Sequence, residues 1–152
     1  MLSAAGLSAY EVSNHARSLA ARSRHNLIYW RGGDYLGVGP GAHGRLTADG
    51  ARWATLTPRG VADYVARVEA KGAGLVERTR LSPREAALER LLMGLRTVEG
   101  VAIAELTDLA PSPESIRQMT VAGLFEPVDG QLIVTPRGRP LLDRITLELA
   151  AP

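Results

Sequence analysis

Leu124-Phe125-Glu126-Pro127-Val128-Asp129-Gly130-Gln131-Leu132-Ile133-Val134-Thr135-Pro136 carries two apolar runs with Asp129-Gly130 between them. An Asp-Gly pair readily takes the two positive-φ positions of a tight turn, so the stretch predicts a β-hairpin. Pro127 has no N–H to give to a ladder, which makes its strand, 124–128, an edge.

Helices are expected on both sides of this hairpin. Four hydroxyl residues stand before a proline, Thr57-Pro58, Ser82-Pro83, Ser112-Pro113 and Thr135-Pro136. A hydroxyl at the N-cap accepts from an orphan backbone N–H, and proline at the first helical position gives up a donor that had no partner. Ser82 and Glu85 add the spacing of a capping box. Behind these starts the apolar residues recur at helical spacing: Val61, Tyr64, Val65 and Val68; Leu88, Leu91, Leu92 and Leu95; Leu141, Leu142, Ile145 and Leu149. Each stripe is expected to face a core. Ile103, Leu106 and Leu109 predict a further short helix. Helix, helix, helix, hairpin, helix over 82–149 is the order of a winged helix-turn-helix domain.

The amino-terminal part reads differently. Ala9 to Ser13 and Tyr35 to Val38 have the character of short strands separated by a polar connection rich in Ser and Arg. Arg45 to Leu56 turns at Asp49-Gly50 and reads as a hairpin. These strands make no complete sheet, so they are expected to finish a sheet begun by other residues.

Gly37-Val38-Gly39-Pro40-Gly41-Ala42-His43-Gly44 places four glycines in eight positions directly after the second of those strands. Glycine permits positive φ and close backbone approach, which suits a loop wrapped around a phosphate, carboxylate or nucleoside. A tight crossover at a sheet edge needs the same residues. The loop lacks the Gly-Lys-Ser/Thr ending of a P-loop and the helix that opens after a dinucleotide fingerprint. Ser23-Arg24-His25-Asn26-Leu27-Ile28-Tyr29-Trp30-Arg31 interleaves cations with aromatics, as would a patch that pairs with and stacks on a planar anion, or solvated arginines beside a buried Tyr and Trp.

Composition narrows the chemistry. None of the 152 residues is cysteine, which excludes disulfides, thiolate nucleophiles, Cys-type zinc sites and Cys-ligated iron–sulfur clusters within this chain. His15, His25 and His43 match no metal-ligand spacing, so no metal site is expected. No apolar run reaches the ~18 residues of a membrane span, and the start lacks the basic and apolar regions of a signal peptide. The expected compartment is the cytoplasm. Residues 101–130 set Glu105, Asp108, Glu114, Glu126 and Asp129 against Arg117 alone, which opposes phosphate neutralisation and a nucleic-acid partner.

Three stretches carry a resemblance: Tyr10-Glu11-Val12-Ser13-Asn14-His15-Ala16-Arg17, Ser23 to Trp30, and Asp34-Tyr35-Leu36-Gly37 through Gly44. They resemble the late part of the radical S-adenosylmethionine family of oxygen-independent coproporphyrinogen III oxidase-like proteins, and most nearly its haem chaperone branch. The likeness continues through Leu81 to Glu85, Leu95-Arg96, Gly123 to Phe125 and Val134 to Gly138. It implies a parent with a partial (β/α) barrel whose Cys-x3-Cys-x2-Cys loop holds a 4Fe–4S cluster, which reduces S-adenosylmethionine to a deoxyadenosyl radical. In the oxidase that radical abstracts hydrogen from substrate propionates, whereas the chaperone branch binds haem and passes it to acceptor proteins. Without cysteine this chain departs from the pattern at the cluster, so it is expected to be a carboxy-terminal portion without turnover of its own.

The resemblance further implies that Leu27, Ile28 and His43 occupy positions lying near a second S-adenosylmethionine in the oxidase. Gly37, Gly39, Gly41 and Ala42 join them as candidate cofactor contacts, His43 is a candidate haem-iron ligand, and Arg24, Arg31 and Arg45 are candidates for porphyrin propionates. Ser18-Leu19-Ala20-Ala21 replaces the family's Pro-Gly after Arg17, and an irregular connection is expected there. The expected fold is α+β: residues 1–56 form the end of a partial (β/α) radical barrel, 57–81 a linking helix and connection, and 82–152 a mainly helical winged-helix-like domain. Its expected partners are the rest of the barrel, haem or porphyrin, and a haem-acceptor protein. The alternative is a winged-helix module that binds nucleic acid or protein.

Overall fold

Ser82 and Glu85 cap each other as their spacing predicts: Ser82 N–H donates to Glu85 Oε2 at 2.8 Å, and Glu85 N–H donates to Ser82 Oγ at 3.2 Å. The computed structural model in which this is seen describes residues 2–126 and 128–151; Pro127, and the edge-strand reading that rests on it, lie outside them. In chain order the elements are β1 (Ser8–Ala9), β2 (His15–Ala16), α1 (Arg24–Trp30), β3 (His43–Ala48), β4 (Ala51–Leu56), α2 (Val61–Lys71), β5 (Glu77–Arg80), α3 (Pro83–Gly94), β6 (Val101–Ala102), α4 (Pro113–Val121), β7 (Gln131–Leu132) and α5 (Leu142–Ala150). Short 3-10 turns at Leu19–Ala21, Ile103–Leu106 and Arg139–Leu141 join them in a mixed α/β fold.

The chain folds as two compact units, Met1–Gly32 with Ala87–Pro152, and Gly33–Ala86. In the first, Leu91, Leu95, Leu106, Leu132, Ile145 and Leu149 are buried together with Phe125 and Val134. The stripes of α3 and α5 therefore face a core as expected, and Ser112 caps α4 by accepting from Ser115 N–H at 3.3 Å. The hairpin around Asp129-Gly130 forms narrowly, with Phe125 bridged to Val134, and its second arm pairs β7 with β6. The amino-terminal segment belongs to the same unit because Glu11 bridges Thr97 and Val98 N–H donates to Tyr10 O. Tyr10, Ala16 and Leu27 make a small second core there, with Val98 packed on it.

The second unit is the antiparallel sheet β3-β4-β5 with α2. Asp49 and Gly50, at φ 52° and 69°, make the two-residue turn predicted between β3 and β4.

Several expectations are corrected. Between Tyr35 and Val38 only Tyr35 pairs, with Arg45, because the glycines that follow turn the chain away from any ladder. The strand expected over Ala9–Ser13 is the two-residue β1, which turns back onto β2. The polar connection contains a 3-10 turn and the helix α1, capped by Ser23 accepting from Asn26 N–H at 3.3 Å. Thr57 does not cap α2, which starts after Gly60, and Thr135 stands before a turn, not an α-helix: its hydroxyl donates to Gly123 O at 2.7 Å. Most consequentially, the α2 stripe is not core. Val61, Val65 and Val68 are 67%, 45% and 37% exposed, and α2 buries none of its residues.

Candidate functional site

The glycine loop is a closed excursion from the sheet of the second unit. Asp34 pins its entry by accepting from Thr47 N–H at 2.8 Å, Thr47 Oγ1 at 2.9 Å and an Arg52 N–H at 2.6 Å. The Thr47 N–H bond, followed by the hydroxyl and the Arg52 charge, holds the Asp34 carboxyl below its ordinary range against some desolvation. Tyr35 and Arg45 exchange both backbone hydrogen bonds, at 2.8 and 2.9 Å, and close the base. Gly37 then passes so near His43 that a Cβ there would meet His43 O at 2.5 Å, which no larger residue tolerates.

Thr57 is the clamp. Its buried hydroxyl accepts from Ala42 N–H at 2.8 Å and donates to Gly39 O at 2.6 Å, while Thr57 N–H donates to Ala42 O at 3.0 Å. Gly41 N–H donates to Pro58 O at 2.7 Å. Two of the backbone donors that would cradle an anion are thus spent inside the unit, as in a tight crossover. What the loop turns outward is apolar: Leu36 and Val38 are 72% and 81% exposed, and His43 at the start of β3 is exposed with them. Sequence reasoning had named the glycines and His43 and passed over these two, whose signal was apolar residues alternating with glycine in a loop.

Gly37, Gly39, Gly41, Ala42, His43 and Arg45 therefore share one unit, and Arg24, Leu27, Ile28 and Arg31 lie on or just after α1 in the other. Leu27 is spent on the small core, while Ile28 is exposed. Arg31 is committed to Glu99 through a bidentate pair at 2.8 and 2.7 Å, which Arg22 joins at 3.4 Å. The Arg31 bond, opposed by desolvation and helped by charge, lowers the Glu99 pKa and raises that of Arg31. Arg24 is exposed and forms no ion pair among the described residues. Arg45 donates to Gly44 O at 3.0 Å. His25, quoted within the basic-aromatic patch but not singled out, shares a 2.8 Å hydrogen bond with the Tyr29 hydroxyl one turn on, their rings edge to face at 4.7 Å. Beneath them, Glu11 is fully buried and its Oε1 accepts from Ser13 N–H; nothing among the described residues accounts for Oε2.

Among the described residues no three His, Asp or Glu side chains come together as a metal-ligand group, and no helix is long and apolar enough to cross a membrane. The donor set, lacking any thiolate, does not fit a 4Fe–4S cluster. Exposed imidazoles at His25 and His43 do fit, in kind, the axial position of a haem iron.

Residues 81–141 match the family described as the HemN C-terminal domain. Over 149 residues, 97% of the chain, it is 35% identical to "Heme chaperone HemW" of Mycobacterium tuberculosis. The chain belongs to the radical S-adenosylmethionine, coproporphyrinogen III oxidase-like family. Its likeness to that family extends to the bovine "Radical S-adenosyl methionine domain-containing protein 1, mitochondrial", 36% identical over 165 residues and 98% of this chain. Among solved structures, coproporphyrinogen III oxidase (HemN) from Escherichia coli, a radical SAM enzyme, superposes with a TM-score of 0.66 over 99% of this chain and 38% of that one. At 15% identity that likeness speaks for the fold alone. The chain spans 36% of the length of both the mycobacterial and the bovine family member.

Proposed function

We propose that this chain is the carboxy-terminal portion of a haem chaperone of the radical S-adenosylmethionine family and contributes haem-contacting surface to it. The observation that carries this reading is the near full-length identity to a protein named as a heme chaperone. The local geometry suits it: Leu36 and Val38 offer apolar contact to a porphyrin face beside the exposed imidazole of His43, and His25 offers a second imidazole beside Ile28 and the unpaired Arg24. Arg45 and Arg31 remain propionate candidates, the latter only in competition with Glu99.

In this reading residues 1–56 complete the edge of a partial barrel, 57–81 connect, and 82–152 act as a winged-helix-like cover facing a haem-acceptor protein in the cytoplasm. The cluster and its S-adenosylmethionine belong to the preceding part of the parent. A nucleic-acid role for the cover is disfavoured by charge. Its lone Arg117 is already tied to Glu114 at 2.9 and 2.5 Å.

Haem titration of the chain, followed by Soret absorbance, tests the proposal. Saturable binding is expected, weakened at least about tenfold by His43→Ala or His25→Ala. Binding that no histidine substitution alters, single or combined, or no saturable band at all, removes the reading.

A further inference from the structure

One cavity in the second unit lies apart from the exposed apolar tip of the glycine loop. It is a groove of about 710 Å³ between the end of β4, the connection after it and α2. That is within the range of a small-molecule site. Leu56 forms an apolar wall, and Ala66 and Ala70, one turn apart on α2, leave an apolar floor. Around it stand Arg59, Arg67 and Lys71, with Asp63 the only acid of the lining.

Three observations make this more than a solvated surface. None of the three cations forms an ion pair among the described residues, whereas Arg22, Arg31, Arg52, Arg90, Arg96, Arg117 and Arg144 all do. Asp63 could have neutralised Arg67 at the i, i+4 spacing, yet its carboxylate turns back over Gly60, with Oδ2 about 3.0 Å from where a Cβ would stand there. Lastly, Arg67 and Lys71 follow each other by one helical turn along the same wall, and Arg59 stands across from them beside Gly41. Unpaired charge of one sign around an apolar floor is costly to keep unless an anion is to be recruited, and such a cleft concentrates anions.

We propose that this groove is a separate ligand site for a small organic dianion, two carboxylates carried on an apolar body. Arg67 and Lys71 hold one carboxylate and Arg59 the other, while Ala66, Ala70 and Leu56 receive the carbon skeleton. The site does not depend on haem binding: its residues are distinct from those of the haem reading, and either can fail alone.

Isothermal titration of the whole chain with decanedioate at low ionic strength tests it, with decanoate, decanediol and inorganic phosphate as comparators. Decanedioate is expected to bind with the highest affinity, weakening as salt is raised. The Arg67→Glu, Lys71→Glu double variant should lose at least about tenfold in affinity with its circular dichroism unchanged, since α2 buries no side chain. Arg67→Lys should retain binding. Should the double variant unfold, Arg59→Gln carries the same expectation. Absence of binding, equal binding of decanediol or of phosphate, or full affinity in the charge-reversed variant would each overturn the proposal.

Discussion

Leu91, Leu106 and Leu149 of the first unit lose all of their accessible surface, whereas Val61, Leu75 and Val76, large apolar side chains of the second, stay open to solvent. What the second unit buries is small or polar: Ala51, Thr55 and Thr57. Burying a leucine is worth roughly 1.5–3 kcal/mol, against a net of roughly 0.5–1.5 kcal/mol for a hydrogen bond. The first unit is thus held by burial and should yield as a whole. The second is held by directional bonds and should yield one clamp at a time, leaving its apolar α2 stripe and cationic groove available to other molecules.

The largest expected effect falls on the buried side. Leu91→Ala removes a fully buried side chain from the main core, at a cost of about 2–5 kcal/mol. Chemical denaturation followed by circular dichroism measures it, and a cost below about 1 kcal/mol would mean that burial does not dominate there. A smaller and more local effect is expected on the bonded side. Thr57→Val keeps the shape but removes the hydroxyl that Ala42 N–H and Gly39 O share, a loss of about 1–3 kcal/mol. Hydrogen exchange should then speed up at the Gly41 and Ala42 amides and leave the Leu95 amide untouched. Acceleration at Leu95 as well would show the two units to be energetically one.

The same contrast explains what was legible in the sequence. Signals closed within a few residues read correctly: the Ser82/Glu85 box, the Ser112 cap and the turns at Asp49-Gly50 and Asp129-Gly130 all involve partners at most three positions apart. Thr57 and Thr135 misled because a threonine hydroxyl donates as readily as it accepts, and their partners at Gly39, Ala42 and Gly123 are twelve to eighteen residues away. α1 escaped because seven residues with a single buried side chain show no apolar period. The α2 stripe has the correct helical spacing, but spacing tells which side of a helix is apolar and not whether anything covers it. For the candidate site, the glycines and His43 were legible from the loop's composition. The Glu99 partner of Arg31 was not, since it comes from 68 residues away.

That pair supplies the smallest expected effect and bears directly on the haem reading. Glu99 is held below the ordinary carboxylate range chiefly by its hydrogen bond from Arg31, with the charges of Arg31, Arg22 and Arg90 adding to it against desolvation. A depressed folded pKa contributes stability that is complete above the unfolded value of ~4.3 and is lost as pH falls through the folded one. Because both side chains are partly exposed, the contribution at neutral pH is under about 1 kcal/mol. Glu99→Gln should therefore melt slightly earlier than the unaltered chain at pH ~7, and the gap should close as pH drops below ~4. A gap that widened in acid would reverse the sign of the argument. The same substitution releases Arg31, so if that guanidinium also serves a haem propionate, Glu99→Gln tightens haem binding while it loosens the fold. If haem affinity stays constant, Arg31 belongs to the architecture of the first unit, and the propionate role falls to Arg24 or Arg45.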